Sequence, residues 1–187
     1  MNDVLFRNIS DDEYEKYKDW EIKDYADNLF KEGQYDTLEE AMKESIKDFN
    51  EGLPAGLETP DHYLLKIQNS ENKDIGFLWY ETTNKKRAFI EDFVIEADYR
   101  RKGYGMKTLR QLEHDLIDKG IYQIVLHVFE SNSIARRLYE KAGFTYLDVN
   151  EDEPGSLYML KALTKQPKNE NLWDFVRPNE SHQSEKG

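Results

Sequence analysis

Between Arg87 and Lys119 a strand-like stretch, a loop with two alternating glycines and an amphipathic helix follow one another without a gap. The strand candidate, Arg87 to Glu96, mixes apolar and acidic residues in Phe89-Ile90-Glu91-Asp92-Phe93-Val94-Ile95, and the loop reads Arg100-Arg101-Lys102-Gly103-Tyr104-Gly105-Met106. From Gly105 to Lys119, Met106, Leu109, Leu112, Leu116 and Ile117 share one helical face, and Gly120 is placed to stop the helix. Such a junction gathers backbone N–H groups without helical partners at the positive end of a helix dipole, which makes an anion site. Glycine lets an anion approach the main chain more closely than a β-carbon permits, and Arg100, Arg101 and Lys102 add formal positive charge. The third glycine and ribose-binding acid of a dinucleotide fingerprint are missing, as is the lysine-serine ending of a nucleoside-triphosphate loop.

Around this unit the pattern is that of one mixed sheet. Val4 to Ile9 has strand composition, and Asp11, Asp12 and Glu13 supply an acidic first helical turn. From Tyr14 to about Glu51, Trp20, Tyr25, Leu29, Leu38, Met42, Ile46 and Phe49 recur at helical spacing. Gly33 divides two helices, and Asp36 or Thr37 can cap the second, with Glu40 three residues past Thr37 as the capping-box partner. His62 to Gln68 and Ile75 to Glu81 read as a hairpin, and Asn84-Lys85-Lys86 turns the chain into the third strand. Tyr122 to Phe129 is a further strand, followed by a helix capped at Ser131 or Asn132 and closed by Gly143. Phe144 to Val149 and Leu157 to Leu163 pair across the acidic loop Glu151 to Gly155. The expected fold class is α/β (α+β mixed): a mixed, mostly antiparallel sheet of six to seven strands flanked by about four helices. One domain spans residues 1–163, and residues 164–187 read as a polar, mobile tail in which Leu172, Trp173, Phe175 and Val176 form an apolar cluster.

Composition narrows the function. The 187 residues suffice for one core. With no cysteine there is no disulfide, thiolate ligand or cysteine nucleophile, which is compatible with a reducing compartment, the cytoplasm being the simplest address. No apolar run approaches the roughly 20 residues that cross a bilayer, and Met1 to Asp11 is too acidic for a signal peptide, so no membrane partner is expected. A formal charge of −12 disfavours nucleic acid and suits a cationic small molecule or peptide. His62, His114, His127 and His182 have no ligand spacing, so no metal is expected. Nothing in the chain reports oligomeric state, and a homodimer is left open.

The strand, Arg-Arg-Lys-Gly-Tyr-Gly-Met and the helix resemble the central motif of the GNAT superfamily of N-acetyltransferases, Gln/Arg-x-x-Gly-x-Gly/Ala, with Arg100, Gly103 and Gly105 at the defined positions. Asn132 through Ala135 to Leu138-Tyr139-Glu140-Lys141-Ala142-Gly143-Phe144 is similar to the family's other signature. The resemblance covers about Ile75 to Leu163 well and the N-terminal helices only in outline. It implies acetyl-CoA as cosubstrate, held by the Arg100–Met106 loop, by the backbone of Phe93, Val94 and Ile95 acting as an added strand toward the pantetheine arm, and by Asn132. Arg136, Arg137, Lys107, Arg110 and Lys141 gather around the same motifs in an otherwise acidic chain, as a polyanion would require.

Acetyl transfer needs an unprotonated amine, a polarised carbonyl and a proton for the departing thiolate. With no cysteine and no serine in a nucleophile elbow, direct attack by a primary amine in a ternary complex is favoured over an acyl-enzyme. Tyr139 matches the family's general acid. Two residues compete as base. One is Glu91, which strand alternation places with Phe89, Phe93 and Ile95 and opposite Asp92; the other is His127, at a position where alanine-acetylating relatives carry a glutamate. The rival function is a non-catalytic acyl-CoA-binding or sensing module. A third is an interaction domain built on the Trp20 to Phe49 helices and the Trp173 region.

Overall fold

The structure is a computed structural model and describes residues 4–83, 86–147 and 155–163. The tail from 164, with its Trp173 cluster, and the acidic residues Glu151 to Pro154 lie outside them. Strand β1 (Val4–Asn8) leads to helices α1 (Asp11–Lys31) and α2 (Leu38–Gly52), then to β2 (His62–Asn69), β3 (Asp74–Thr83) and β4 (Arg87–Ile95). After the glycine loop come α3 (Tyr104–Asp118), β5 (Gln123–Phe129), α4 (Ser133–Lys141), β6 (Thr145–Tyr146) and β7 (Ser156–Ala162). The seven strands form one sheet in the order β1-β2-β3-β4-β5-β7-β6. Every neighbouring pair is antiparallel except β4 and β5.

Local chemistry fixes the helix starts. Ser10 and Thr37 each accept from the backbone N–H three residues on, while Glu13 and Glu40 reach back to the cap, closing two capping boxes. Arg7 binds both Glu13 at 2.6 Å and Asp74, tying β1 to the first turn of α1 and the start of β3.

One face of the sheet packs on α3 and α4. Leu109, Leu112 and Leu116 are fully buried against Leu78, Ile90, Ile124 and Leu126, each leucine stabilising the layer by about 2 kcal/mol relative to exposure. Ile117, expected on this face, is 44% exposed, because it lies about 100° around the helix from Leu116, at the rim of the buried stripe. The opposite face packs on α1 and α2 through Tyr17, Phe49, Leu64 and Trp79. Trp20, Leu38 and Ile46, read from spacing as part of the apolar face, are exposed, and the inward positions of α2 are Ala41, Ser45 and Phe49.

Two irregularities in the sheet position the site. In β3 and β4, Trp79 pairs with Asp92 and Tyr80 with Ile90, so Glu91 has no opposite residue and forms a one-residue bulge. Paired residues share a face, so Phe89, Glu91, Asp92 and Val94 look toward α1 and α2, while Ile90, Phe93 and Ile95 pack on the α3 side. The alternation expected from sequence, with Glu91 alongside Phe93 and Asp92 opposite, is thus corrected by the phase shift. The second irregularity lies between β4 and β5, whose parallel pairing runs from Arg87 with Gln123 to Ile90 with Leu126 and then stops. Both strands continue, to Ile95 and Phe129, leaving a wedge without rungs between them.

Candidate active site

Two features border the wedge: the loop that follows β4 and opens α3, and a cavity under α1 and α2 to which the two strands contribute Glu91 and His127. The glycine loop opens α3 with Gly103 as N-cap at φ +84°, a left-handed conformation that side chains resist. A β-carbon on Gly103 would meet nothing within 4 Å, so backbone angle and not crowding requires this glycine. At Gly105 the reason is contact, since a β-carbon would lie 2.9 Å from Leu138 Cδ2. Its missing side chain lets the first turn of α3 rest on α4. The helix lacks a side-chain cap here, and its first N–H groups have no intrahelical acceptors.

The basic cluster divides into two kinds. Arg100 Nε donates to Ile95 O at 2.7 Å, fastening the loop to the end of β4. Arg136 donates to the Tyr146 hydroxyl at 3.0 Å and to Glu130 O at 2.8 Å. Arg101, at φ +62°, and Lys102 are exposed just before the start of α3, and Arg137 is exposed on α4. Asn132 is also exposed, and its Oδ1 accepts from Ala135 N–H at 3.1 Å as the N-cap of α4. Phe93, Val94 and Ile95 form the part of β4 beyond its last rung to β5.

Tyr139 is 6% exposed, with its ring 5.6 Å from that of Phe144. Burial, and then the charge of Asp92, push its phenol above the ordinary value, so it stays protonated at neutral pH. Asp92 itself accepts a 2.7 Å hydrogen bond from the buried Tyr17 hydroxyl. Burial outweighs that bond and lifts the Asp92 carboxyl to about 6.

On the α1 and α2 side the sheet floors a cavity of about 450 Å³. Carboxylates enter it from three elements: Glu21 from α1, Glu44 and Asp48 from α2, and Glu91 from the bulge. Its walls are largely aromatic, from Tyr25, Tyr35, Trp79, Phe89 and Tyr158. The Trp79 indole N–H donates to His62 Nδ1 at 3.2 Å, and His62 Nε2 lies 3.0 Å from Glu81, so the floor is held rigidly from behind. Glu91 is open to the water of the cleft yet ringed by protein, and desolvation followed by Glu81, Asp48 and Asp92 pushes its carboxyl up to about 8. His127 stands opposite Tyr158 in the sheet and edge-on to Phe129 at 4.8 Å. Burial pushes its imidazole down to about 4, and its Nε2 is buried without a hydrogen-bond partner among the described residues.

Glu91 and His127, singled out by sequence, both line this cavity, whereas Tyr139 does not and lies buried in the core that packs on α3 and α4. Glu21, Glu44 and Asp48 were not singled out. A signal existed on α2: Glu44 and Asp48 sit four apart, each one residue before a buried position, Ser45 and Phe49, which puts both on the flank of the packed face.

A parallel strand pair that parts beside an uncapped helix start is an arrangement able to take an extended, anion-bearing ligand. The sequence model described as "Acetyltransferase (GNAT) family" matches residues 9–144, and the chain belongs to that family. It is 35% identical over 149 residues to YycN of Bacillus subtilis strain 168, an uncharacterized N-acetyltransferase, covering 78% of this chain and 95% of that one. It is 26% identical to the uncharacterized N-acetyltransferase YdgE of the same strain, over 75% of this chain and 91% of that one. The crystal structure of YycN superposes with a TM-score of 0.74 at 34% identity, covering 80% of this chain and 97% of YycN.

Proposed function

We propose that this protein transfers the acetyl group of acetyl-CoA to a primary amine by direct attack within a ternary complex. Acyl transfer is the family's general activity, and the observation that carries the finer reading is the wedge. The rungs between β4 and β5 stop where β4 runs on toward an uncapped helix start, and the two strands also supply Glu91 and His127 to an acid-lined cavity, which supports one site joining the two.

The residues fit acetyl-CoA. The N–H groups at Gly103 to Met106, with Arg101 and Lys102, would hold its phosphates. The main chain of Phe93 to Ile95 would hold its extended arm, while Asn132 and Arg137 flank the entrance. Acetyl-CoA supplies an acetyl group already activated as a thioester. The cavity binds the ammonium form of the acceptor, and Glu91 removes its proton. A base with a value near working pH suits that step, and an arriving cation stabilises the carboxylate form of Glu91. His127, neutral at pH 7, offers its unpaired Nε2 as an acceptor beside it. As the amine nitrogen bonds to the acetyl carbon and the carbon–sulfur bond breaks, the Tyr139 hydroxyl gives its proton to the departing sulfur, and the second proton that the nitrogen loses restores the Tyr139 hydroxyl by way of water.

Product formation with an amine panel, followed by mass spectrometry, tests this reading. We expect Tyr139→Phe to lower kcat about 100-fold while coenzyme binding persists. Tight coenzyme binding without turnover of any amine would favour the sensing module.

A further inference from the structure

Deprotonating a single amine requires one base, yet four carboxylates line the cavity, and among the described residues no lysine or arginine does. Glu44 is paired at 2.7 Å with Lys47. Glu21, Asp48 and Glu91 have no ion-pair partner among the described residues. Carboxylates gathered around one cavity without counter-charge repel one another, and here they come from α1, α2 and β4, at separate places on the wall. Between them lie aromatic faces, Tyr25, Tyr35 and Trp79 among them, which attract cations and shelter methylene groups. The unpaired Nε2 of His127 is a further polar atom on the same wall left without a protein partner.

We propose that the acceptor is a linear aliphatic amine with a second cationic group. The reacting ammonium would sit at Glu91, the second at Asp48 and Glu44, with the carbon chain between them against the aromatic walls. This rests on the acetyl-transfer reading of the same site. A volume of about 450 Å³ is that of a small-molecule pocket. An all-acidic lining opposes any acceptor with its own carboxylate, such as a free amino acid. Titration agrees: Asp48 is pushed up to about 6 by burial and then by Glu44, and Glu21 is raised by burial and then by Asp92, Asp24 and Glu91. One cation near Glu91 relieves only part of that repulsion, whereas a dication relieves both ends.

The test compares putrescine with n-pentylamine, which matches its length but carries one charge, and with a short lysine-containing peptide. Acetyl-CoA-dependent product is measured for the full chain, Asp48→Asn and Glu44→Gln, and putrescine binding is measured by calorimetry in parallel. Both substitutions nearly conserve shape, and melting curves check the fold of each. We expect kcat/KM for putrescine to exceed that for n-pentylamine by about tenfold or more, the advantage shrinking in Asp48→Asn through KM. Equal use of the two amines, or an advantage that survives both substitutions, overturns the proposal while leaving acetyl transfer intact. Better use of the peptide overturns it in favour of a protein acceptor. If no amine is acetylated but putrescine binds and Asp48→Asn weakens binding about tenfold, acetyl transfer falls and the dication site stands. Neither turnover nor binding sinks both.

Discussion

Glu91 and His127 share one face of the sheet and titrate in opposite directions, so pH separates them. In the free protein at pH 7 Glu91 holds its proton, with a value of about 8, and His127 holds none, with a value of about 4. If Glu91 is the base, kcat/KM climbs through an ascending limb near pH 8, and Glu91→Gln lowers it about 100-fold or more and abolishes that limb. His127→Asn producing that change instead would reassign the base. Stability carries the same signature. The value for Glu91 is raised from 4.5, so its favourable contribution is complete below pH 4.5 and is lost as pH rises through about 8. The value for His127 is lowered from 6.5, so its contribution is present above 6.5 and lost as pH falls through about 4. Chemical denaturation should therefore find Glu91→Gln stabilised relative to the parent at pH 9 and little changed at pH 5.

Helices α3 and α4 meet at Gly105, and the two loop glycines should fail in different ways. Gly105→Ala forces a β-carbon against Leu138, which should cost about 1–3 kcal/mol through overpacking and tilt the helix start, so stability and coenzyme affinity fall together. Gly103→Ala meets open space and should cost about 1–2 kcal/mol through its positive φ alone. Denaturant melts of the two variants, with coenzyme titrations beside them, separate the cases. The α3 unit was legible in the sequence because a strand, a glycine pair and a helical apolar stripe leave unmistakable periods. The β4 bulge was not, since one inserted residue at Glu91 changes no composition and the apolar residues on either side read as continuous alternation. Only the register with Trp79 and Tyr80 reveals it. Likewise Glu44 and Asp48 have the spacing of ordinary solvated helix charges, and only the docking of α2 over the sheet turns them inward.

For the whole molecule, binding at the wedge should appear as stability. Coenzyme A at about 100 times its Kd adds about 2.7 kcal/mol, which for a chain of this size raises Tm by about 5–10 °C. Scanning calorimetry with and without coenzyme A checks this, and a flat response would also remove the anion-site assignment of the α3 N-terminus. The fold class and the family could be inferred from the chain because they rest on local motifs. The cavity lining could not, because Glu21, Asp48, Glu91 and Tyr158 are brought together from both ends of the sequence. The wedge between β4 and β5 has one more consequence. A polyanionic donor and a polycationic acceptor would pair with each other in free solution, but here the sheet is an insulating partition. Arg101, Lys102 and Arg137 lie by α3 and α4 on one side and Glu21, Glu44 and Asp48 under α1 and α2 on the other, so the proposed donor and acceptor would approach from opposite faces of the sheet and meet only where the two strands part.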